Sequence, residues 1–359
     1  MAQHRPPVRV FGHRGAPAHF PEHTRASYLR AIEDGADFIE PDLVMTRDGV
    51  MVARHENEIG STTDVASHRE FAARRTTRVV DGTAVDGWFT EDFTLAELKT
   101  LHARERLPEL RSTAHDGQFP LLTLEEIIEL AADATRRHDR QVGLVPEIKH
   151  GSYFRGLGLA MEDRLLDTLA AHPYTRQAPV EIQSFETANL RYMRQYLGGD
   201  AARTRYPNVS LLQLIGDPGQ QPWDIVAAGG RLGYARMMQA DGLREVATYA
   251  DAIGPPLDAV IARDAHGYLG TPTTLTEHAH NAGLEVHPYT FRPENRFLAR
   301  DFDDGSGADR ANPEGLIAQI SAFLGAGIDA FFTDDPACGR HAVDALRAHD
   351  AGSPGDQGS

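Results

Sequence analysis

The sequence has few of the features that mark secreted or membrane-embedded proteins. It contains one cysteine, Cys338, so an internal disulfide is excluded and the fold does not depend on an oxidising compartment. No segment approaches the ~20 consecutive apolar residues that a membrane-spanning helix needs. The opening "MAQHRPPVRV" lacks the apolar stretch of a signal peptide. We therefore expect a cytoplasmic protein, or a secreted one if a leader was removed before this sequence.

Positive charge is also scarce. The chain carries 36 Lys and Arg against 52 Asp and Glu, a formal net charge of −16. This balance argues against a nucleic-acid partner and against stable association with anionic membranes. A small-molecule partner fits better, and the sequence leaves monomer and homodimer open. Its 359 residues, 41% of them hydrophobic, are enough for one large water-soluble domain with an insertion.

Strand-like segments alternate with amphipathic helical segments along most of the chain. The predicted strands are 8–13, 36–46, 142–149, 180–185, 209–215, 252–256, 284–290 and 328–334. Eight strands with intervening helices predict an α/β protein of the TIM (β/α)₈ barrel class. A doubly wound open sheet is the alternative, but the Gly-rich phosphate-binding turn of that fold is missing.

One long segment interrupts the alternation. Residues 56–120 contain no strand–helix unit, and a structureless loop of this length is unusual in a compact domain. We interpret 56–120 as a small subdomain inserted after the second strand and lying over the barrel mouth. The barrel domain is predicted to span 8–343, and the Gly- and Ser-rich end, 350–359, is predicted to be a disordered tail.

Two pairs of polar residues stand near predicted strand ends, where barrel enzymes place their catalytic groups. His13 and Arg14 follow the first strand. Glu40 and Asp42 alternate along the second strand, so both carboxylates share one face and repel each other. A divalent cation bound by hard oxygen ligands would remove that repulsion.

His55 is placed by a turn whose geometry the sequence leaves open. The turn contains Asp48-Gly49, a common hairpin dipeptide. A two-residue loop would set Asp42 directly opposite His55, with Cβ atoms roughly 4.5–5.5 Å apart. A three-residue loop with a Gly bulge would turn His55 to the other face.

The segment "PEIK" adds a third carboxylate, Glu147, and a second cation, Lys149, on one face of the third strand. Three acids for a metal, two cations and two imidazoles together suit the hydrolysis of a phosphate ester. With an unperturbed pKa near ~6.5, an imidazole can accept a proton in its neutral form and donate one in its protonated form near neutral pH. Of the other histidines, His23 is assigned a structural role at the start of the first helix. His287 is expected to face the barrel interior, as a core residue or a ligand.

These motifs carry a family resemblance. The segments are "HRG", "PEHT", "GADFIEPDLVMTRDG", "VARHE", "PEIK", "HPYT" and "FFTDDP". Together they resemble the glycerophosphodiester phosphodiesterase family from about Val8 to Val343. One departure is Glu56 after His55, where the family often has Asp. The resemblance implies a TIM barrel with a subdomain inserted after its second strand.

The resemblance also implies roles for individual residues. Ca²⁺ or Mg²⁺ would bind Glu40, Asp42 and Glu147, with His13 and His55 as the acid/base pair. Arg14 would contact the phosphate, Lys149 would support its charge, and Phe185 and Tyr289 would line the glycerol side.

The expected activity is metal-dependent hydrolysis of deacylated glycerophosphodiesters to glycerol 3-phosphate and an alcohol, with low selectivity for that alcohol. One alternative is a related barrel phospholipase of the sphingomyelinase D or phosphatidylinositol phospholipase C kind. Another is a non-catalytic phosphate-binding barrel.

Overall fold

A computed structural model describes residues 7–199, 202 and 205–352. The strands are β1 (Arg9–Gly12), β2 (Phe38–Ile39), β3 (Asp42–Met45), β4 (Met51–Ala53), β5 (Thr76–Val80), β6 (Thr83–Gly87), β7 (Gly143–Leu144), β8 (Glu147–Ile148), β9 (Val180–Ser184), β10 (Val209–Leu214), β11 (Ala252–Gly254), β12 (Ile261–Arg263), β13 (Leu269–Pro272), β14 (Glu285–Val286) and β15 (Ala330–Thr333).

The helices lie between these strands. They are α1 (Arg25–Glu33), α2 (Leu95–Leu98), α3 (Leu124–His138), α4 (Gly151–Gly156), α5 (Glu162–Ala171), α6 (Thr187–Leu197), α7 (Trp223–Ala227), α8 (Tyr234–Met237), α9 (Ala240–Val246), α10 (Leu257–Val260), α11 (Leu275–Asn281), α12 (Pro313–Gly325) and α13 (Pro336–Gly352). No helix in the described part of the chain is long and apolar enough to cross a membrane.

The central sheet is a barrel of parallel strands. Its order runs β15–β1–β2–β7–β9–β10–β11–β14. Two further hydrogen bonds join its ends: Asp329 N–H donates to the Val286 carbonyl and Phe332 N–H to the Pro288 carbonyl, each at 3.0 Å. The predicted TIM-barrel class is confirmed.

Proline divides two strands that the sequence predicted to be continuous. Pro41 separates β2 from β3, and Pro146 separates β7 from β8. Proline has no N–H to donate, so the ladder is interrupted where it occurs. Both carbonyls stay in the sheet, because Glu147 N–H donates to Pro41 and Gln183 N–H to Pro146, each at 2.9 Å. The chain therefore keeps its direction while its side chains are re-aimed at the barrel mouth.

Aromatic and aliphatic side chains fill the barrel interior. Phe11 packs edge-on against Phe332 with ring centroids 5.1 Å apart, and contacts Phe38 at 4.7 Å. Leu212 and Leu214 belong to the same buried cluster. Burial of large side chains of this kind is the main source of folding free energy. The rigid interior supports the polar groups above it.

The segment 56–120 carries short elements of its own, including the β5–β6 hairpin and α2. Its apolar side chains Phe71, Phe93 and Leu98 are buried in the same hydrophobic cluster as the outer face of the barrel. It therefore packs directly on the barrel. At the other end of the chain, α13 extends to Gly352, so 350–352 are helical, and 353–359 lie outside the described residues.

Candidate active site

One cavity of about 280 Å³ lies at the carboxyl ends of the barrel strands. Its lining includes every residue to which the family resemblance gave a catalytic, substrate-binding or metal-binding role: His13, Arg14, Glu40, Asp42, His55, Glu147, Lys149, Phe185 and Tyr289. Gln183, Leu214, Thr290, Arg292 and Phe332 complete it. Residues up to 319 positions apart in the chain, His13 and Phe332, therefore share one chamber.

Three carboxylates form the floor of this cavity. Asp42 in β3 pairs directly with Glu147 in β8, and Glu40 comes from the junction before β3. One oxygen of each carboxylate lies within 4.8 Å of the others, and all three residues are at most 3% exposed. The proline-divided strands thus deliver three acids to one point.

Neighbouring donors hold two of these carboxylates in place. His23 Nε2 lies 2.9 Å from Asp42 Oδ2, so the histidine assigned to the first helix also orients an acid. Gln183 Nε2 donates to Glu40 Oε1 at 2.8 Å, and Arg14 N–H donates to Glu40 Oε2 at 2.9 Å. These bonds fix the acids without neutralising them fully.

The charge in the floor is only partly balanced. Lys149 Nζ lies 2.8 Å from Glu147 Oε1 and 3.3 Å from Asp42 Oδ1, and Arg14 Nε lies 3.3 Å from Asp42 Oδ2. Burial, followed by the neighbouring carboxylates, raises the pKa of Glu40 well above its usual range. Burial, opposed by Lys149, raises the pKa of Glu147 to about 8.

This donor set fits a divalent cation. Asp42 Oδ1 is buried and accepts no well-aligned hydrogen bond from the described residues, although Lys149 Nζ lies 3.3 Å away as an ion-pair partner. Such an oxygen can accept a further positive ligand, and carboxylate oxygens are the ligands that Ca²⁺ and Mg²⁺ prefer. Glu40, Asp42 and Glu147 are therefore a chemically suitable metal site.

His13 is oriented by a residue that the sequence analysis did not single out. Its Nδ1 lies 2.6 Å from Asp334 Oδ1. Arg111 and Arg292 donate to the other oxygen of Asp334 at 2.6 and 3.2 Å, and they outweigh burial to hold its pKa well below the usual range. A carboxylate can only accept, so the His13 proton sits on Nδ1 and Nε2 is free. Burial and Arg14 lower the pKa of His13 to about 4.

His55 has a matching arrangement on the other side of the cavity. Its Nδ1 is bonded to Glu56, which accepts from Arg106 at 2.6 and 3.1 Å. Burial, then Arg14 and Lys149, lower the pKa of His55. Both imidazoles are therefore neutral at neutral pH and carry a carboxylate on Nδ1. Glu56, which stands where the family often has Asp, is the carboxylate bonded to Nδ1 of His55.

Of the two loop geometries that the sequence left open before His55, the two-residue loop is not found. Leu43 pairs with Ala53, so the loop holds three residues and ends at Gly49 with φ of +80°. Arg54 lies opposite Asp42, donating its N–H to the Asp42 carbonyl at 2.9 Å. His55 still reaches the cavity because β4 ends at Ala53 and the chain then leaves the ladder.

Aromatic rings form the apolar wall. Phe185 and Tyr289 meet edge to face with centroids 5.9 Å apart. The Tyr289 hydroxyl donates to the Ile215 carbonyl at 2.7 Å, which fixes the ring and leaves its body for packing. Lys149 Nζ lies 5.7 Å from the centre of the Phe185 ring.

Sequence reasoning missed four supporting residues. Gln183 and Asp334 follow the alternation and strand-end rules, and Asp334 stands in the quoted segment "FFTDDP", so a systematic search of strand ends would have found them. Arg106 and Arg111 lie in segment 56–120, where no regular pattern predicts which side chains face the barrel.

The chain is similar to known proteins over most of its length. The chain matches the model of the glycerophosphoryl diester phosphodiesterase family over residues 13–338. It is 35% identical to a glycerophosphodiester phosphodiesterase of Arabidopsis thaliana, covering 90% of this chain and 82% of that protein. It is 26% identical to a glycerophosphodiester phosphodiesterase of Haemophilus influenzae, covering 79% of each.

Solved structures share the fold. A protein from Silicibacter pomeroyi aligns with a TM-score of 0.62 at 20% identity, covering 96% of this chain and 95% of that one. A phosphodiesterase from Oleispira antarctica, solved in complex with the product sn-glycerol 3-phosphate, aligns with a TM-score of 0.55 at 18% identity, covering 94% and 97%.

Proposed function

Because the chain belongs to the glycerophosphoryl diester phosphodiesterase family and is an enzyme of glycerophosphodiester hydrolysis, we propose that it acts through His13 and His55 with a divalent cation. The observation that carries this proposal is the pairing of the two imidazoles. Each has its Nδ1 held by a carboxylate, and both line the cavity whose floor is Glu40, Asp42 and Glu147.

We assign the phosphate group of the substrate to the positively charged side chains that line the cavity. Arg14 and Lys149 are the cations that line the cavity beside its acidic floor, together with Arg292 nearer the mouth. A phosphodiester carries one negative charge and gains more as the attacking oxygen approaches phosphorus. Fixed cations stabilise that increase strongly in a site shielded from water.

The two imidazoles divide the proton transfers. One accepts a proton at Nε2 from the attacking oxygen, which is that of water or of the neighbouring glycerol hydroxyl. The other takes up a proton at Nε2 from solvent and donates it to the alcohol oxygen as its bond to phosphorus breaks, and the proton gained by the first imidazole returns to solvent afterwards. Asp334 and Glu56 keep the Nδ1 protons in place and stabilise the imidazolium that forms on either side.

Glu40, Asp42 and Glu147 would hold Ca²⁺ or Mg²⁺, which supplies positive charge to the phosphate oxygens when bound. Such a cation would relieve the repulsion among the three acids, whose ligand oxygens lie within 4.8 Å of one another. Their hydrogen bonds to Gln183 and His23 keep their oxygens aimed at a common point.

We propose that the substrate is a deacylated diester that yields glycerol 3-phosphate and an alcohol. The Oleispira antarctica relative was solved with that product. The rings of Phe185 and Tyr289 offer a small apolar wall for glycerol carbons.

Hydrolysis of glycerophosphocholine, lysophosphatidylcholine and sphingomyelin at matched concentration tests this proposal. We expect glycerophosphocholine to be cleaved fastest, with glycerol 3-phosphate measured directly as the product. Faster cleavage of either lipid would favour the phospholipase alternative. Absence of any cleavage with Ca²⁺ or Mg²⁺ supplied would favour the non-catalytic barrel.

A further inference from the structure

A second cavity of about 420 Å³ adjoins the active-site cavity. The two share His55, Glu147, Lys149 and Phe185 in their linings. A phosphodiester has two ester arms, and once the phosphate lies between Arg14 and Lys149 only one arm can enter the chamber floored by the acids. The second cavity offers space for the other arm directly beside the reacting phosphorus.

Loops from different parts of the chain enclose this second cavity. Asp81 stands at the tip of the β5–β6 hairpin, Glu186 precedes α6, Trp223 begins α7 and Tyr234 begins α8. The hairpin tip presses on the indole, since a Cβ placed on Gly82 would lie 2.7 Å from the Trp223 ring. The inserted segment therefore roofs the second cavity.

The charge of this cavity is negative at its far end. Lys149 stands at the boundary with the active site, and Glu56 is neutralised by Arg106. Beyond them lie Asp81, which accepts from His150 Nδ1 at 2.6 Å, and Glu186. A cationic group placed beyond the boundary would meet these two carboxylates.

Glu186 is a buried acid that lacks a positive partner. It is 5% exposed and accepts hydrogen bonds only from the backbone N–H and hydroxyl of Ser152, the closest at 2.5 Å. No Lys, Arg or His nitrogen of the described residues lies within 4.0 Å of the Glu186 carboxylate. The nearby cations of this part of the chain pair with other acids, His150 with Asp81 and Arg155 with Glu162. Burial, and then the charges of Asp224 and Asp81, raise the pKa of Glu186 to about 7. A buried carboxylate in this condition is stabilised by an arriving cation.

Aromatic rings stand beside these acids. Phe185 and Tyr234 meet edge to face at 6.4 Å, and the Tyr234 hydroxyl already donates to the Phe185 carbonyl at 3.1 Å. The indole of Trp223 lines the same space. Aromatic faces combined with carboxylates attract ammonium and quaternary ammonium groups.

We propose that the second cavity binds the alcohol arm of the diester and selects alcohols that carry a positive charge, through Asp81, Glu186 and the aromatic rings. The inference rests on the proposed function. The sequence predicts low selectivity for the alcohol, and this proposal differs from that prediction. Asp81 and Trp223 are brought to the site only by the folding of two loops, which the sequence alone does not predict.

The test compares kcat/KM for glycerophosphocholine with kcat/KM for glycerophosphoglycerol, which has the same glycerol phosphate arm and a neutral alcohol. We expect the wild-type protein to favour the cationic substrate by about tenfold. Asp81→Asn and Glu186→Gln should each lower this ratio toward one. Asparagine tolerates the positive φ of 48° at position 81, and glutamine keeps an acceptor for Ser152.

Asp86→Asn, an exposed acid on the same hairpin, is the matched control and should leave the ratio unchanged. Equal kcat/KM for the two substrates in the wild-type protein would overturn the inference, as would an unchanged ratio in both cavity variants. In these outcomes glycerophosphoglycerol is still hydrolysed, so the proposed function stands. Loss of both activities in the wild-type protein would overturn the proposed function, and this inference with it.

Discussion

Two clusters of charged side chains lie inside the barrel, one at each end of its strands. The cluster at the carboxyl ends is the proposed active site. The cluster at the amino ends consists of Arg9, Glu181, Glu285 and His287. Each end gathers three acid or histidine side chains whose ligand atoms lie within 4.8 Å of one another. The two clusters differ in how their charges are matched.

The amino-end cluster neutralises itself. Glu285 lies 2.5 Å from Arg9 and 3.2 Å from His287, and Glu181 lies 3.1 Å from His287. Although burial opposes it, the charge of Glu181 raises the pKa of His287 to about 9. Two negative groups thus face two positive groups. Such a cluster fills the amino end of the barrel and needs no ligand to balance its charges.

The carboxyl-end cluster is not matched in this way. Three carboxylates lie within 4.8 Å of one another, and burial together with their mutual repulsion raises the pKa of Glu40 and of Glu147. Burial and Arg14 hold the imidazole of His13 neutral. The comparison teaches that similar residue types serve stability where their charges match, and chemistry where the mismatch is left for a cation and a phosphate.

The largest expected effect is on the rate. His13→Ala should lower kcat by about 10²–10⁴-fold, because it removes one of the two proton-transfer groups. His287→Gln at the other end of the barrel should leave kcat nearly unchanged. Steady-state kinetics of folded protein, checked by circular dichroism, measures both. A near-normal kcat in His13→Ala would exclude that residue from the mechanism.

Replacing one acid by its amide in each cluster gives a second comparison of the two ends of the barrel. Glu147→Gln should lower activity by about 10²–10³-fold, since one anionic ligand of the charge-stabilising cation is lost. It should destabilise the metal-free fold only slightly, because Lys149 keeps Asp42 as a partner at 3.3 Å and the repulsion among the carboxylates falls.

Glu181→Gln should do the reverse, keeping activity while lowering the free energy of unfolding, because His287 loses a buried partner. Activity assays and urea unfolding of both variants measure this exchange. Equal destabilisation by the two substitutions would contradict the contrast between the clusters.

Asp334 should act by positioning His13. Asp334→Asn should lower kcat by about 10–10²-fold with little change in KM, since asparagine no longer fixes the Nδ1 proton. The pH–rate profile distinguishes this from a structural role, because the pKa assigned to His13 should move in the variant. An unaltered profile with a raised KM would point to packing instead.

The smallest expected effect is on stability against pH. The folded-state pKa of His287 is about 9, above its ordinary value near 6.5, so its contribution is fully present below pH 6.5. It should be lost as the pH rises through 9, on the order of 1–3 kcal/mol. Urea unfolding at pH 6.5 and 9.5 measures the loss, and His287→Gln should lack it. The same slope in the variant would assign it to other groups.

The sequence was sufficient where chemistry follows local rules. His13, Glu40, Glu147 and Lys149 stand at strand ends, and alternation along a strand predicts which residues share a face. The closed barrel likewise follows from eight strands separated by helices. These features depend on residues that are near one another in the chain.

The sequence was insufficient where position depends on long-range packing. The loop before His55 could hold two or three residues, and the three-residue form with Gly49 is the one found. Arg106 and Arg111 reach the site only because segment 56–120 packs on the barrel mouth. The pairing of Arg9 with Glu285 joins opposite ends of the chain, and no local pattern predicts it.

The proposal that Glu40, Asp42 and Glu147 hold a divalent cation is tested most directly by calorimetric titration of metal-free protein with Ca²⁺ and with Mg²⁺. We predict that the wild-type protein and Glu181→Gln bind one ion per chain and that glycerophosphocholine hydrolysis rises with occupancy. Glu147→Gln should bind far more weakly. Full hydrolysis in excess chelator, with no metal found in the protein, would contradict the account.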